Sequence, residues 1–249
     1  MRSILGILAS IIFMTNASTA LAQFIDYCGL GILPSPSAEW EDQNQLIKSF
    51  RAGSGSAQCE LTKQARAGDK VAQFEIGRAF LEGENRDVDL KEGHYWTRFS
   101  ANGGYPPAQY VIGKMYEKGN FVTQSYETST DWYRKAAFQG YPDAEYRLGF
   151  AYFKGEGVGK DDHEAAHWFK KAAEQGQADA QFALGALYLR GDGVIQHYLY
   201  AHMWLNISAF LGNEDAKIRR DEMTVLNREQ RVVAQNMALE CVRKEYKDC

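Results

Sequence analysis

The chain has 249 residues, of which 45% are hydrophobic and 24% charged, with a formal net charge of −4. That apolar content excludes a disordered acidic tail, and the acidic balance argues against a general nucleic-acid binder held by phosphate contacts. No uncharged apolar run reaches the roughly 18 residues of a membrane span.

The N-terminus reads as an address. Met1-Arg2-Ser3 is a short positive start, residues 4–14 are apolar, and Ala20-Leu21-Ala22 forms an A-x-A cleavage site ahead of Gln23. The apolar run is too short to cross a bilayer comfortably, and no Cys follows the cut to take a lipid. Residues 1–22 are expected to leave as a signal peptide, so that the mature protein is periplasmic or secreted. All four cysteines remain in it, at Cys28, Cys59, Cys241 and Cys249. An even number in an exported protein suggests two disulfides. Three pairings are possible. Cys28 with Cys59 and Cys241 with Cys249 are preferred, because each pair is close in sequence and sits at one end of the chain. Without a C-x-x-C or a Cys/His cluster, metal binding is the weaker reading of these thiols.

Residues 23–64 are read as an N-terminal helical cap. After Pro34-Ser35-Pro36, a helix carries Trp40, Gln43, Ile47 and Phe50 on one face. Gly53-Ser54-Gly55-Ser56 reads as a flexible link, and a further helix through Leu61 leads to Ala65.

From Ala65 onward the sequence repeats. Gly68, Gly104, Gly140, Gly176 and Gly212 are 36 residues apart, and Ala72, Ala108, Ala144, Ala180 and Ala216 keep the same step. So do Trp96, Trp132, Trp168 and Trp204. Four chance matches to Gly68 alone would arise about twice in 100,000 trials at ordinary glycine usage. Within the third unit, Ala144, Leu148 and Tyr152 share one helical face, ended by Gly155-Glu156-Gly157. A second helix carries Ala165, Trp168 and Ala172 and stops at Gly176. Gly77, Gly113, Gly149 and Gly185 fall in mid-helix, where each costs about 1 kcal/mol against Ala. Their recurrence predicts a close backbone approach, with the large Trp set beside the small Gly93, Ser129, Ala165 and Ala201. Helix pairs this short cannot bury their apolar faces alone, so the units must stack. The expected fold is all-α: an α/α superhelix of about four 36-residue helix-turn-helix repeats over residues 65–216, with helical caps.

The strings Ala144-Glu145-Tyr146-Arg147-Leu148-Gly149 and Ala180-Gln181-Phe182-Ala183-Leu184-Gly185, the turns Gly155-Glu156-Gly157-Val158 and Gly191-Asp192-Gly193-Val194, and Trp168-Phe169-Lys170-Lys171-Ala172-Ala173 resemble the Sel-one-like repeat. This is a relative of the tetratricopeptide repeat, whose period is 34. In the first two units Asn85 and Phe121 replace the second turn glycine, and differently shaped loops are expected there. The resemblance implies a superhelical scaffold for protein interactions, with the first helix of each unit lining the concave side and no cofactor. The C-terminal segment 217–249 begins a helix at Asn227-Arg228-Glu229-Gln230, a capping pattern. It resembles the tails that follow such arrays, including the paired cysteines Cys241 and Cys249.

Two candidate sites stand out. His163-Glu164-Ala165-Ala166-His167 is a literal H-E-x-x-H, the helical spacing of two zinc ligands and a general base. Ala165 and Ala166, however, stand where the repeat wants small residues, and both histidines point away from the core stripe. The motif is read as a solvated helix face, and zinc-dependent or β-lactam-recognising hydrolysis is kept only as an alternative. The aromatic column Phe74, Tyr110, Tyr146 and Phe182 is read as helix packing. More informative are the positions where the units disagree. On the first helices these hold Glu75, Arg78 and Glu82, then Val111, Lys114 and Lys118, then Arg147, Phe150 and Lys154, then Ala183, Ala186 and Arg190, a face that is basic from the second unit onward on an acidic protein. A protein or peptide partner with an acidic surface is expected to bind there, with no nucleic acid and no membrane span. A periplasmic inhibitor of a membrane sensor is the other alternative.

Overall fold

The computed structural model describes residues 43–84 and 87–249. Among these residues there are twelve helices and no strand. An N-terminal pair, α1 (Gln43–Arg51) and α2 (Gly55–Arg66), precedes four helix pairs. These are α3 (Lys70–Glu82) with α4 (Leu90–Asn102), α5 (Pro106–Lys118) with α6 (Tyr126–Ala137), α7 (Pro142–Lys154) with α8 (Asp162–Ala173), and α9 (Ala178–Arg190) with α10 (Tyr198–Phe210). Then come α11 (Glu214–Asp221) and α12 (Arg228–Arg243). Through the four pairs each helix packs chiefly on the helices before and after it, most extensively within its own unit, whereas α12 packs back on α10. That is the quasi-one-dimensional arrangement of a solenoid.

The predicted signal peptide, Trp40 and Cys28 lie outside the described residues. Cys59 is disulfide-bonded. The expected flexible link at residues 53–56 is instead a tight turn. Gly53 takes a left-handed φ of 85°, Ser54 accepts a hydrogen bond from the Ala57 amide at 3.4 Å, and Gly55 and Ser56 already belong to α2. A serine N-cap satisfies an amide that would otherwise be orphaned, so the Gly/Ser run starts a helix.

The mid-helix glycines mark close approaches, as the period predicts. A Cβ on Gly113 would stand 2.6 Å from the Tyr133 ring, and one on Gly149 would stand 2.8 Å from the Phe169 ring. The knob that fills this space is therefore the residue after the tryptophan, not the tryptophan itself. Trp168 turns instead into the seam with the preceding unit, beside Ala136 and Ala137 of α6 and Ala144 and Leu148 of its own unit.

A buried polar bond repeats at these seams. The amide of Gln73 donates to the Ala65 carbonyl at 3.0 Å, Gln109 to Ala101 at 3.2 Å, and Gln181 to Ala173 at 3.1 Å. Each bond joins the first helix of a unit to the helix end before it, and satisfies a buried amide that would be costly to leave unpaired.

The unit turns are more alike than their sequences. Phe121 adopts a left-handed φ of 66°, next to 72° at Gly157 and 64° at Gly193. The second unit thus keeps the backbone shape that its lost glycine seemed to forbid, at the steric cost of a bulky residue in that region. Asn85 lies outside the described residues. At the C-terminus the Asn227–Gln230 capping box forms reciprocally, and Cys241 and Cys249 are joined with a Cα–Cα distance of 5.3 Å. No helix among the described residues is long and apolar enough to cross a membrane.

Candidate functional site

Consecutive first helices are neighbours along one face, because side chains reach from one to the next. Arg147 of α7 donates to Glu117 of α5 at 3.2 Å. In the first unit Arg78 is enclosed by carboxylates, with Glu84 at 2.8 Å, Glu75 at 3.5 Å and Glu82 also paired. Glu75, itself buried, takes a second cation, since Arg51 of α1 binds it at 2.8 Å. Burial works to lower the Arg78 pKa, but the hydrogen bond to Glu84 and the surrounding carboxylates outweigh it, so the guanidinium is held charged. Arg190 is likewise engaged, by Asp192 at 2.5 Å. Arg78 and Arg190 therefore add little free positive charge to the face.

The second and third units differ. Among the described residues Lys114, Lys118 and Lys154 make no ion pair. Lys114 lies over the Tyr110 ring at 5.4 Å, and Lys154 over Phe150 at 5.6 Å. Such contacts leave an ammonium charge in place while packing its stem. Between the second and third units a shallow open cleft, with room for about one water molecule, is lined by Glu117 of α5, Tyr126, Ser129 and Tyr133 of α6, Arg147 and Phe150 of α7, and Glu156 of the turn that follows.

The cleft is built on a small polar network. The Tyr133 hydroxyl donates to Glu117, whose other oxygen accepts from Arg147. Burial, then the bond to Glu117, pushes the Tyr133 phenol well above its usual range, so it stays a donor. Burial opposes the Arg147 charge, but Glu117 sustains it. The Ser129 hydroxyl and Arg147 Nε are buried without a hydrogen-bond partner. Arg147 and Phe150, side by side in the lining, suit a carboxylate carried on a partly apolar chain.

The Sel1 repeat model matches residues 70–105, 106–141, 142–177 and 178–213, four consecutive units that together span more than half of the chain. The chain belongs to the Sel1 repeat family. The matched array begins at α3 and ends before α11, slightly inside the 65–216 read from the period. A solved Sel1 repeat protein from Oxalobacter formigenes is 29% identical, covering 79% of this chain and 83% of its own, with a TM-score of 0.67. The protective antigen c5321 of uropathogenic Escherichia coli, which displays an SLR fold, is 39% identical over 63% of this chain, with a TM-score of 0.61. This chain spans about a third of that antigen's length, the match covering 34% of it. No functionally curated protein matches.

Within the Sel1 frame the H-E-x-x-H side chains have architectural partners. His163 Nδ1 lies 2.8 Å from the Gly193 carbonyl in the next unit's turn, Glu164 accepts from the Trp168 indole at 3.2 Å, and the His167 ring stacks edge-on to Trp168 at 5.3 Å. Among the described residues no three His, Cys, Asp or Glu side chains gather as a metal site. The aromatic column also packs internally: Phe74 meets Tyr105 at 5.4 Å and Tyr110 meets Tyr141 at 5.5 Å.

Sequence reading found Arg147 and Phe150 but missed Glu117, Ser129 and Tyr133, which complete the cleft. The signal was present. Glu117 stands where the other Sel1 units have Leu81, Phe153 and Leu189, a charge at an apolar register.

Proposed function

We propose that this Sel1 repeat protein is an exported, non-enzymatic interaction scaffold, binding a protein or peptide of acidic surface on the concave face formed by its first helices. Sel1 repeat proteins generally mediate protein–protein interaction. Export is supported by the signal-like N-terminus and by a disulfide, which persists in oxidising compartments. The observation that carries the reading is the cleft between the second and third units, lined by Arg147 and Phe150, with Lys114, Lys118 and Lys154 on the same two first helices and free of ion pairs among the described residues.

An acidic side chain of the partner docks at Arg147 while an adjoining apolar group meets Phe150. The lysines steer the approach, an effect that salt weakens. The test is binding of the mature chain to an array of acidic peptides, with charge reversal at Lys114, Arg147 and Lys154 together. Affinity for the best peptides is expected to fall at least about tenfold, or roughly 1.4 kcal/mol. Reversal of Arg219 and Arg243, outside this face, should leave it unchanged. Equal affinity in the first variant would dispose of the reading.

A further inference from the structure

The seam bond donated by Gln73, Gln109 and Gln181 has one exception. In the third unit the residue at that register is Glu145, 2% exposed. Its equivalent acceptor is the Ala137 carbonyl, which already accepts from the Gly140 amide at 2.9 Å, as Ala65, Ala101 and Ala173 accept from Gly68, Gly104 and Gly176. In the second unit the Gln109 amide both donates and accepts: its nitrogen goes to Ala101, and its oxygen takes a bond from Gln139 at 2.8 Å. Glu145 matches the accepting half, taking a bond from Gln175 at 2.6 Å. An ionised carboxylate has no proton for the donating half. A neutral carboxylic acid reproduces both halves of the glutamine pattern.

We infer that Glu145 is a proton-linked joint between the second and third units: neutral, it donates to the Ala137 carbonyl and completes the seam; ionised, it gives that bond up. The proton comes from and returns to solvent, and no other bond changes. The surroundings are mixed in charge. Burial, the largest influence, raises the carboxyl pKa; Lys171 and the Gln175 bond lower it, and Glu174 raises it. Glu174 is in turn paired with Lys170 at 3.6 Å. α6 presents the buried Ala136 and Ala137 to this seam. On α7 itself, Asp143 is held by Gln177 at 3.5 Å and Arg147 by Glu117 at 3.2 Å.

With the folded pKa above the unfolded one, the folded chain binds more protons in the interval between them. The seam is strongest below the ordinary carboxylate range and weakens as pH rises through the raised value. The joint stands whether or not the cleft binds a partner.

The experiment is thermal unfolding of the full mature chain from about pH 4 to about pH 8, spanning the carboxylate range, for wild type, Glu145→Gln and Gln181→Glu. Glu145→Gln installs the residue that the other units use, so it should fold. Its Tm should lie closest to wild type at the acid end, with a gap of about 3 °C opening in its favour as pH rises. Gln181→Glu should acquire the opposite trend, losing Tm relative to wild type with rising pH. Parallel wild-type and Glu145→Gln curves would overturn the inference. So would a Glu145 carboxyl, followed by carbon NMR and assigned by its loss in Glu145→Gln, that titrates in the ordinary range.

Discussion

Arg78 and Arg147 project from the first helices of the first and third units, and they meet opposite surroundings. Arg78 faces three carboxylates, one of them shared with Arg51. Arg147 shares a single carboxylate with a phenol and borders an open cleft. Both leave Nε without a partner, so the contrast lies in charge balance. The first unit uses its arginine to close the array on its cap, whereas the centre leaves cationic character on the surface. A basic residue at a variable position thus leaves positive charge at the surface only if the helices on either side fail to neutralise it.

The largest effect should come from breaking the closed end. Arg78→Ala leaves Glu75, Glu82 and Glu84 crowded together around Arg51, and is expected to cost about 2–3 kcal/mol in urea unfolding with no loss of peptide affinity. A cost under about 0.5 kcal/mol would place the cluster with ordinary surface pairs and erase the contrast.

A smaller effect separates the C-terminal end from the centre by pH. His202 of α10 is buried, with Nδ1 unpartnered; burial first, then Arg220 and Arg231, lowers its pKa. The unfolded chain then binds the proton more readily, so this contribution to stability is complete above the ordinary histidine range and is lost as pH falls through the lowered folded value. His202→Gln should flatten that part of the stability profile in urea melts near pH 5–6.5. An unaltered slope would show that His202 is solvated. The direction is opposite to that expected of Glu145, so acid loosens the end while tightening the central seam.

The smallest effect tests the lysines. Lys118→Gln should change stability by less than about 0.5 kcal/mol, while reducing the salt dependence of peptide binding. A salt slope equal to wild type would remove Lys118 from the steering face.

The helical pairs, their period and their order were legible in the sequence, because left-handed turns fix Gly68, Gly104, Gly140, Gly176 and Gly212, close approach fixes the mid-helix glycines, and burial keeps the alanines small in every unit. The terminal disulfide Cys241–Cys249 was legible for a different reason, the short separation of its members. The cleft was legible only in part. Arg147 and Phe150 stood out as departures among variable positions, but Glu117 sat in a column of apolar residues and was passed over. Phe121 shows the converse. Its identity suggested an altered loop, yet neighbouring helices over-determine the turn and impose the glycine-like φ. The assignment of the knob to Trp132 and Trp168 failed because adjacent residues on a helix face different seams, a distinction that a period of 36 residues does not encode.

The C-terminal tail gives the molecule a direction. Tyr246, inside the loop closed by Cys241 and Cys249, lies so near Gly176 that a Cβ there would stand 3.0 Å from its ring. Cys241 and Ala238 share a core with Ala172, Ala173 and Trp204. The last helix thus latches back across the fourth unit to the end of the third. Pulled from both ends, such an array should not open symmetrically: the N-terminal units peel first and singly, while the last two resist as one block until the latch lets go.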